Sequence, residues 1–205
     1  MGRPRTNDET VKERLVERAT EMLATHPQES VTVRAVATAA DASTAAVYSL
    51  FGGKDGLIAA VRDRAVAGLF QALTAAPTSE DPLADLYALA AAYRRWGSEH
   101  RHLYAVLFGG VQSFEPSGAV GTRDPVQPLI AAIDRAVTAS VLDGEVTLIA
   151  VSVWVTLHGL VTLELTGALD ASTAQAAFPS TIHATLRGWT TPSVFRSLRH
   201  DEAAP

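Results

Sequence analysis

The 205-residue sequence contains no cysteine, and it has few aromatic residues (6%) and few charged residues (19%). Without cysteine the chain has no disulfide framework and no thiolate metal site, which fits a reducing compartment. The first ten residues lack the apolar run of a secretory signal peptide. A hydrophobic content of 47% still predicts a folded globular chain. We therefore expect a globular cytoplasmic protein.

Signatures of catalysis and metal binding are also missing from the sequence. The six histidines show no H-E-x-x-H spacing, and His100 and His102 would point to different faces of a helix. We find no P-loop, no dinucleotide fingerprint and no G-x-S-x-G. We expect no enzyme activity, no catalytic residue, no metal site and no cofactor.

The net charge of −5 argues weakly against nucleic-acid binding, but it is unevenly distributed. Residues 1–65 hold nine basic and nine acidic residues, whereas the rest of the chain holds eight and thirteen. A neutral segment can bind DNA if its positive charges gather on one face. The candidates are Arg3, Arg5, Arg34 and Lys54. Arg3 and Arg5 flank a proline, so they form either an extended arm that reaches a minor groove or a solvated terminus.

The stretch from Val33 to Leu57 predicts two short helices joined by a tight turn, with a third helix beginning behind them. Thr32 and Ser43 are good N-caps for the first two helices. Asp41 lies at the turn, where Asp tolerates a left-handed conformation. A second helix with short, exposed residues at its N-terminus suits a DNA major groove about 12 Å wide. The pattern therefore indicates a helix-turn-helix.

The match to one family is closer than the general motif. The segments that carry it are Thr32-Val33-Arg34-Ala35-Val36-Ala37, Ala40-Asp41-Ala42-Ser43, Val47-Tyr48-Ser49-Leu50-Phe51 and Lys54-Asp55-Gly56-Leu57. From about Val11 to Ile58 the chain resembles the DNA-binding domain of TetR-family transcriptional regulators. It departs from the family at Asp41, where Gly is usual, at Ala42, where Val is common, and at Leu50, where His or Tyr often precedes the Phe. The departure at Leu50 removes one phosphate contact.

The resemblance implies a role for each candidate DNA-binding residue. Thr32 and Lys54 would grip phosphates, and Lys54 would be assisted by the free N–H groups of a helix start. At or near the major groove would lie Ser43, Thr44, Ala45 and Tyr48. Among them Thr44 and Ala45 would touch bases, whereas Tyr48 would hold a phosphate or pack.

The rest of the chain predicts further helices, so we expect an all-α fold of about nine helices. The division is a helix-turn-helix domain with an arm at 1–55 and a ligand-binding and dimerisation domain at 56–205. Thr6 or Asn7 can cap a first helix that runs to about Thr25, and a fourth helix covers about Asp55–Ala75. After a linker at 76–82 the predicted helices are Pro82–His100, Arg101–Val111, Pro125–Leu142, Gly144–Thr166 and Ser172–Gly188. The turn-rich stretch Ser113–Asp124 is a candidate mobile or functional loop.

The stretch from Val146 to Leu163 carries no formal charge, yet its polar groups and the absence of flanking basic clusters argue against a membrane span. A helix that is apolar nearly all round is buried on several sides. TetR-family regulators dimerise through their last two long helices, and W-x-x-x-H-G at 154–159 resembles one C-terminal subgroup. We predict that a stripe of small residues, extended by a leucine, makes the homodimer together with the last helix, while Trp154 and His158 face the interior. The residues of the stripe are Ser152, Thr156, Gly159 and Leu163.

The aromatic residues fall mostly in the second half of the chain and predict a pocket for an apolar or amphipathic effector. The candidate ligand-binding residues are Trp96, Tyr104, Phe108, Trp154 and His158. Each aromatic residue could instead simply fill the core, and His158 could equally be a hydrogen-bonded core histidine.

The resemblance implies a ligand-responsive transcriptional regulator, more often a repressor, that binds a palindromic DNA operator as a homodimer. An effector would act by favouring one position of the fourth helix. Two alternatives remain. One is a helical small-molecule-binding dimer whose DNA-binding domain, called the head below, binds DNA weakly or not at all. The other is an architectural DNA binder, and the acidic total charge argues against it.

Overall fold

The computed structural model describes residues 5–108 and 124–194, with side chains from residue 8 onward. Within these ranges the chain forms nine α-helices of at least seven residues, a 3-10 turn at Gln28–Ser30, a short helical stretch at 192–194 and one isolated β-bridge between Leu142 and Thr190. The predicted all-α class is confirmed. The helices are α1 Arg5–Thr25, α2 Val33–Ala39, α3 Thr44–Phe51, α4 Lys54–Thr74, α5 Pro82–Glu99, α6 Arg101–Phe108, α7 Gln127–Thr138, α8 Val146–Leu165 and α9 Ala171–Arg187.

Contacts between the helices divide the described chain into two compact units. The first contains residues 5–68 and 100–108, and the second contains residues 69–99 and 124–194. The division falls within α4, so one continuous helix contributes residues to both units. The boundary that we drew from sequence at residue 55 separates functions, and it stays a prediction.

The first unit is built around the helix-turn-helix formed by α2 and α3. Helix α1 packs on both of them, and α6 packs on α1. The buried core consists of Leu15, Val16, Ala19, Val31, Val36, Ala37, Ala40, Val47, Leu57 and Val61. Val106 of α6 packs against this core, so the first unit takes one helix from beyond α5. The predicted end of α6 at Val111, and the loop Ser113–Asp124 except for Asp124, lie outside the described residues.

The second unit is a helical bundle in which α5 packs on α7 and α8, α7 packs on α8, and α8 packs on α9. Its largest fully buried side chains are Leu69, Leu86, Tyr93, Leu129, Ile133, Leu142, Ile149, Leu157, Ile182 and Leu186. Burying a side chain of this size stabilises a fold by about 1.5–3 kcal/mol. The bundle therefore has a core of its own.

Two helices end on a residue with a left-handed backbone that is not glycine. After α2, Asp41 has φ 49°, and the Ala42 N–H donates to the Ala37 carbonyl at 2.9 Å. After α7, Ser140 has φ 56°, and the Val141 N–H donates to the Ala136 carbonyl. Each bond closes the helix in a Schellman motif. The turn predicted at Asp41 is thus confirmed, and the motif at Ser140 explains why α7 ends before the predicted Leu142.

Candidate DNA-binding surface and the helical second unit

Side-chain caps fix the starts of both short helices in the first unit. The Thr32 hydroxyl accepts a hydrogen bond from the Ala35 N–H at 3.2 Å, and the Ser43 hydroxyl accepts one from the Ala46 N–H at 3.1 Å. Both predicted N-caps are confirmed. In each cap the hydroxyl oxygen accepts, so its proton remains available for a second partner such as a phosphate oxygen.

Helix α3 has one buried and one exposed side. Val47 is fully buried, and Leu50 packs partly against the same core. On the other side Thr44 and Ala45 are exposed, and Tyr48 has an exposed fraction of 61%. The exposed side of α3 therefore carries short residues at its N-terminus and an exposed aromatic ring, the pattern predicted for a recognition helix.

Two glycines, Gly53 and Gly56, lie where α3 passes into α4, and Gly56 allows close packing there. A Cβ added at Gly53 would lie 3.5 Å from Cε1 of Tyr48, so the tyrosine ring rests against this glycine. A Cβ at Gly56 would lie 1.8 Å from the backbone oxygen of Phe51. No side chain fits there, so Gly56 sets how closely the first turn of α4 meets the end of α3.

The two basic candidates of the described head differ in their surroundings. Lys54, at the first turn of α4, is half-buried and donates from Nζ to the Glu29 carbonyl at 3.3 Å. Arg34 on α2 is exposed. A second bond links the same regions, because Nη2 of Arg62 donates to Oε1 of Gln28 at 3.1 Å. The 3-10 turn therefore holds the side chain of Lys54 beside the first turn of α4.

A groove of about 710 Å³ runs between α1 and α3. It is lined by Asp8 and Arg14 from α1, by Asp41 from the turn, and by Ser49 from α3. Arg14 donates from Nε to the Ala40 carbonyl at 3.1 Å and so joins α1 to the end of α2. Sequence reasoning missed Arg14 and Ser49, because Arg14 reads as one charge in a solvated helix face and Ser49 as an ordinary surface residue.

The structure places most of the predicted DNA-binding residues at or near the starts of α2, α3 and α4, and Tyr48 lies one turn into α3. Those in the described first unit are Thr32, Arg34, Ser43, Thr44, Ala45, Tyr48 and Lys54. Arg3 lies outside the described residues. Arg5 is the first residue of α1, and its side chain lies outside the described part.

The predicted ligand-binding residues are divided between the two units. In the second unit Trp154 stacks on His158 with ring centroids 5.9 Å apart, and Tyr93 meets Trp154 edge-on at 5.4 Å. The Tyr93 hydroxyl and Nδ1 of His158 share a hydrogen bond at 3.4 Å. Burial lowers the pKa of His158, which favours the neutral imidazole. This aromatic cluster is closely packed.

Trp96 is also buried in the second unit. Tyr104 and Phe108 lie on α6 in the first unit, with ring centroids 4.7 Å apart. The five residues therefore do not form one set within a single unit.

A second groove, which we call the α5–α7 groove, has a volume of about 380 Å³ and lies within the second unit. Its apolar walls include Phe70 and Leu73 from the end of α4, Leu89 from α5 and Ala132 from α7. Asp85 and Arg135 form an ion pair in its wall. None of the five predicted ligand-binding residues lines this groove.

Helix α8 has a buried face and an exposed apolar face. The exposed fractions are 58% at Leu148, 44% at Val151, 61% at Val155 and 43% at Leu163. These positions recur at helical spacing, so they form one stripe that also contains the predicted dimer residues Ser152 and Gly159. Thr156 lies at the edge of this stripe and shares a hydrogen bond with the Thr185 hydroxyl of α9 at 3.2 Å.

The exposed face of α9 is lined by small residues. Ala176, Ser180 and Ala184 are exposed and recur every four residues, which places them on one side of the helix. Because α9 packs beside α8, the two faces together offer a partly apolar surface with little side-chain bulk.

Comparison with known proteins connects both units to one family. Residues 15–61 match the model of bacterial regulatory proteins of the tetR family, and residues 86–187 match the tetracyclin repressor-like C-terminal domain. An uncharacterized HTH-type transcriptional regulator of Mycobacterium tuberculosis is 28% identical over 172 residues, which cover 82% of this chain and 76% of that protein.

Solved structures have the same fold. The TetR family transcriptional regulator PfmR from Thermus thermophilus superposes with a TM-score of 0.69 at 23% identity, covering 85% of this chain and 97% of that chain. A protein with unknown function from Rhodococcus sp. RHA1 has a TM-score of 0.69 at 24% identity, covering 88% and 96%.

The two family models follow each other along the chain, and together they match most of it. Helix α3, with its side-chain cap and exposed face, lies within the segment that the first model matches. The chain belongs to the TetR family of bacterial regulatory proteins, and it is a DNA-binding transcriptional regulator.

Proposed function

We propose that this regulator is a ligand-responsive repressor that binds a palindromic operator as a homodimer in the cytoplasm. The observation that carries the proposal is the exposed face of α3. This helix starts at a side-chain cap, and its opposite face packs in the core of the first unit. Thr44 and Ala45 read base edges in the major groove, and Tyr48 contacts the DNA backbone. Thr32, Arg34, Ser43 and Lys54 supply phosphate contacts, and Arg3 and Arg5 supply further positive charge.

The dimer forms through the exposed faces of α8 and α9. Monomeric proteins rarely expose contiguous apolar stripes of this kind, and large exposed patches mark interfaces. Val155 lies at the centre of the stripe, with Ser152, Gly159 and Leu163 around it. Thr156 contributes at the border, where it already joins α8 to α9. By its length and composition alone, α8 could cross a membrane. The dimer role explains its apolar surface instead.

Two-fold symmetry places two copies of α3 in successive major grooves, about 34–36 Å apart. An effector that binds the second unit and favours one position of α4 changes this spacing. A coupling free energy of about 1–3 kcal/mol changes operator affinity by several-fold to about a hundredfold. We assign repression because a regulator whose operator affinity falls on effector binding releases its gene when the effector appears.

One observation favours a second candidate. Asp8 and Asp41 line the groove beside α3, and carboxylates in that position repel DNA phosphates. A head weakened in this way would leave a helical small-molecule-binding dimer with little DNA binding.

The deciding experiment is selection of bound fragments from random DNA by the purified full-length protein, followed by titration of the enriched sequence at two salt concentrations. We expect one palindrome and an affinity that falls steeply with salt. Lys54→Ala should weaken binding about equally for all sequences, and Thr44→Ala should change the sequence preference. Arg64→Ala, an exposed charge on α4 without a hydrogen bond among the described residues, is the matched control for Lys54→Ala. A folded dimer that enriches no sequence contradicts the proposal and favours the alternative in which the head binds DNA weakly or not at all.

A further inference from the structure

The α5–α7 groove combines apolar walls with a single accessible charge. We propose that it binds a small amphipathic carboxylate and that this molecule is the effector, an inference that rests on the ligand-responsive function proposed above. At about 380 Å³ the groove lies at the small end of the range for ligand sites. Four hydrophobic residues from three helices form its walls, namely Phe70, Leu73, Leu89 and Ala132.

The sign of the accessible charge follows from the hydrogen bonds of the ion pair. Asp85 is only 5% exposed, and its carboxylate is already occupied. Oδ1 accepts from the N–H of Ser79 at 2.8 Å and from its hydroxyl at 2.9 Å, while Oδ2 accepts from Arg135. A buried carboxylate with three donors has little capacity left for a cationic ligand.

Arg135, in contrast, still has hydrogen-bond donors available for a ligand. Its side chain is 43% exposed, and among the described residues only Asp85 accepts a side-chain hydrogen bond from it, through Nη2. A guanidinium has five N–H donors in a planar fork that matches a carboxylate in two-point geometry. The remaining residues of the groove wall are uncharged. The groove is therefore complementary to an anion with an apolar tail.

A molecule bound in the α5–α7 groove would contact α4, the helix that also contributes residues to the first unit. Phe70 and Leu73 are near the C-terminal end of α4, and Lys54 is the first residue of the same continuous helix. An occupant that contacts this end of α4 favours the helix positions that keep those contacts. A ligand changes the operator affinity only to the extent that it binds one such position more tightly.

The test uses isothermal titration calorimetry of the full-length protein with hexanoate, octanoate and decanoate. Octanol and octylamine serve as uncharged and cationic probes of matched length. We expect at least one carboxylate to bind, and to bind at least tenfold more tightly than the alcohol or the amine of the same length. Failure of all three carboxylates to bind, or equal binding of the amine, would overturn the proposal.

Two variants locate the site by independent means. Arg135→Gln removes the anion donor, and Ala132→Phe fills the groove while leaving the ion pair in place. Both should weaken carboxylate binding at least tenfold, whereas the exposed Arg95→Gln on α5 should leave it unchanged. If Arg135→Gln fails to fold because Asp85 loses a partner, the double variant Asp85→Asn/Arg135→Gln removes both charges together. Wild-type binding by folded Ala132→Phe and folded Arg135 variants would overturn the site.

Failure of this proposal is distinguishable from failure of the DNA-binding function. Calorimetry measures the groove without any DNA, and operator titration without carboxylate measures the head alone. Carboxylate binding together with a lower operator affinity supports the proposal. Carboxylate binding that leaves operator affinity unchanged overturns the assignment of the groove as the effector site. Carboxylate binding by a protein that binds no operator contradicts the repressor function and still supports the ligand class of the groove.

Discussion

Arg94 of α5 and Glu164 of α8 form a bidentate ion pair, in which Nε and Nη2 of the arginine each donate to a separate carboxylate oxygen at 2.8 Å. The same guanidinium donates from Nη1 to Gln175 at 3.3 Å and lies 4.9 Å from the ring centroid of Phe178, both on α9. The hydrogen bond to Glu164 raises the pKa of Arg94 further above its ordinary value. One side chain thus connects three helices of the second unit.

We predict that Arg94→Met lowers the free energy of unfolding by about 1.5–3 kcal/mol, the range for a hydrogen bond to a charged group. Methionine keeps the apolar stem but leaves Glu164 without its partner. Urea denaturation followed by circular dichroism measures the loss. The neighbouring exposed Arg95→Met is the control, and Arg94→Met/Glu164→Gln should recover part of the stability. Equal losses in the two single variants would contradict the prediction.

For a substitution at Gly56 we predict a change in stability opposite in sign to the one that helix propensity alone would give. In an open helix position Gly→Ala stabilises by up to about 1 kcal/mol. At Gly56 the added Cβ would meet the Phe51 oxygen, so we expect Gly56→Ala to destabilise the protein by about 1–3 kcal/mol, as overpacking does. Ala59→Gly, at an exposed position of the same helix, should also destabilise, through propensity alone. Denaturant titration of both variants decides the question, because a stabilised Gly56→Ala protein would show that propensity prevails.

Asp41 supplies a prediction about affinity. Asn tolerates the left-handed backbone about as well as Asp, so Asp41→Asn should keep the turn while removing a negative charge beside α3. We expect operator affinity to rise several-fold at low salt and the gain to shrink as salt increases. Fluorescence anisotropy with labelled operator measures the change, and the exposed Asp134→Asn on α7 controls for total charge. An unchanged or lower affinity in folded Asp41→Asn would show that this carboxylate does not face the DNA.

Val155 tests the dimer surface. An arginine at this 61% exposed position costs the monomer little but must be buried if two α8 stripes meet. Val155→Arg should raise the dimer dissociation constant at least about a hundredfold, equivalent to about 3 kcal/mol. Sedimentation velocity across a concentration series measures it, with Ala91→Arg on the exposed side of α5 as the control. A Val155→Arg protein that remains dimeric would place the interface elsewhere.

His158 predicts how stability depends on pH. Because burial lowers its pKa in the folded protein below the ordinary value of 6.5, the unfolded chain takes up this proton at a higher pH. The free energy of unfolding should therefore decrease as the pH falls through about 6.5, and it should stop decreasing on this account below the folded pKa. His158→Gln should lose this part of the slope, whereas His102→Gln, at an exposed position, should retain it. Denaturant titrations at a series of pH values compare the slopes, and identical slopes in wild type and His158→Gln would contradict the prediction.

The features that sequence reasoning recovered are those governed by neighbouring residues. A hydroxyl at Thr32 or Ser43 can only cap the helix that follows it, and Asp41 suits a left-handed turn wherever the chain folds. Helical spacing likewise revealed the stripe of small residues on α8. Spacing does not reveal which partner covers a face, and for that reason the packing of α6 on α1 was not foreseen. The pairing of Asp85 with Arg135, fifty residues apart, depends on tertiary structure in the same way.

The placement of α6 has a practical consequence for dissecting the protein. A truncated fragment that ends at Gly68 would contain the complete helix-turn-helix motif but would lack the helix that packs on α1. The surface normally covered by Val106 would then be open to water, and such fragments tend to aggregate. A minimal reading head that folds autonomously would have to carry α6 as well, joined behind α4 by an artificial linker. Exchanging only the N-terminal segment of this chain for that of a relative would separate its α6 from the α1 on which it packs.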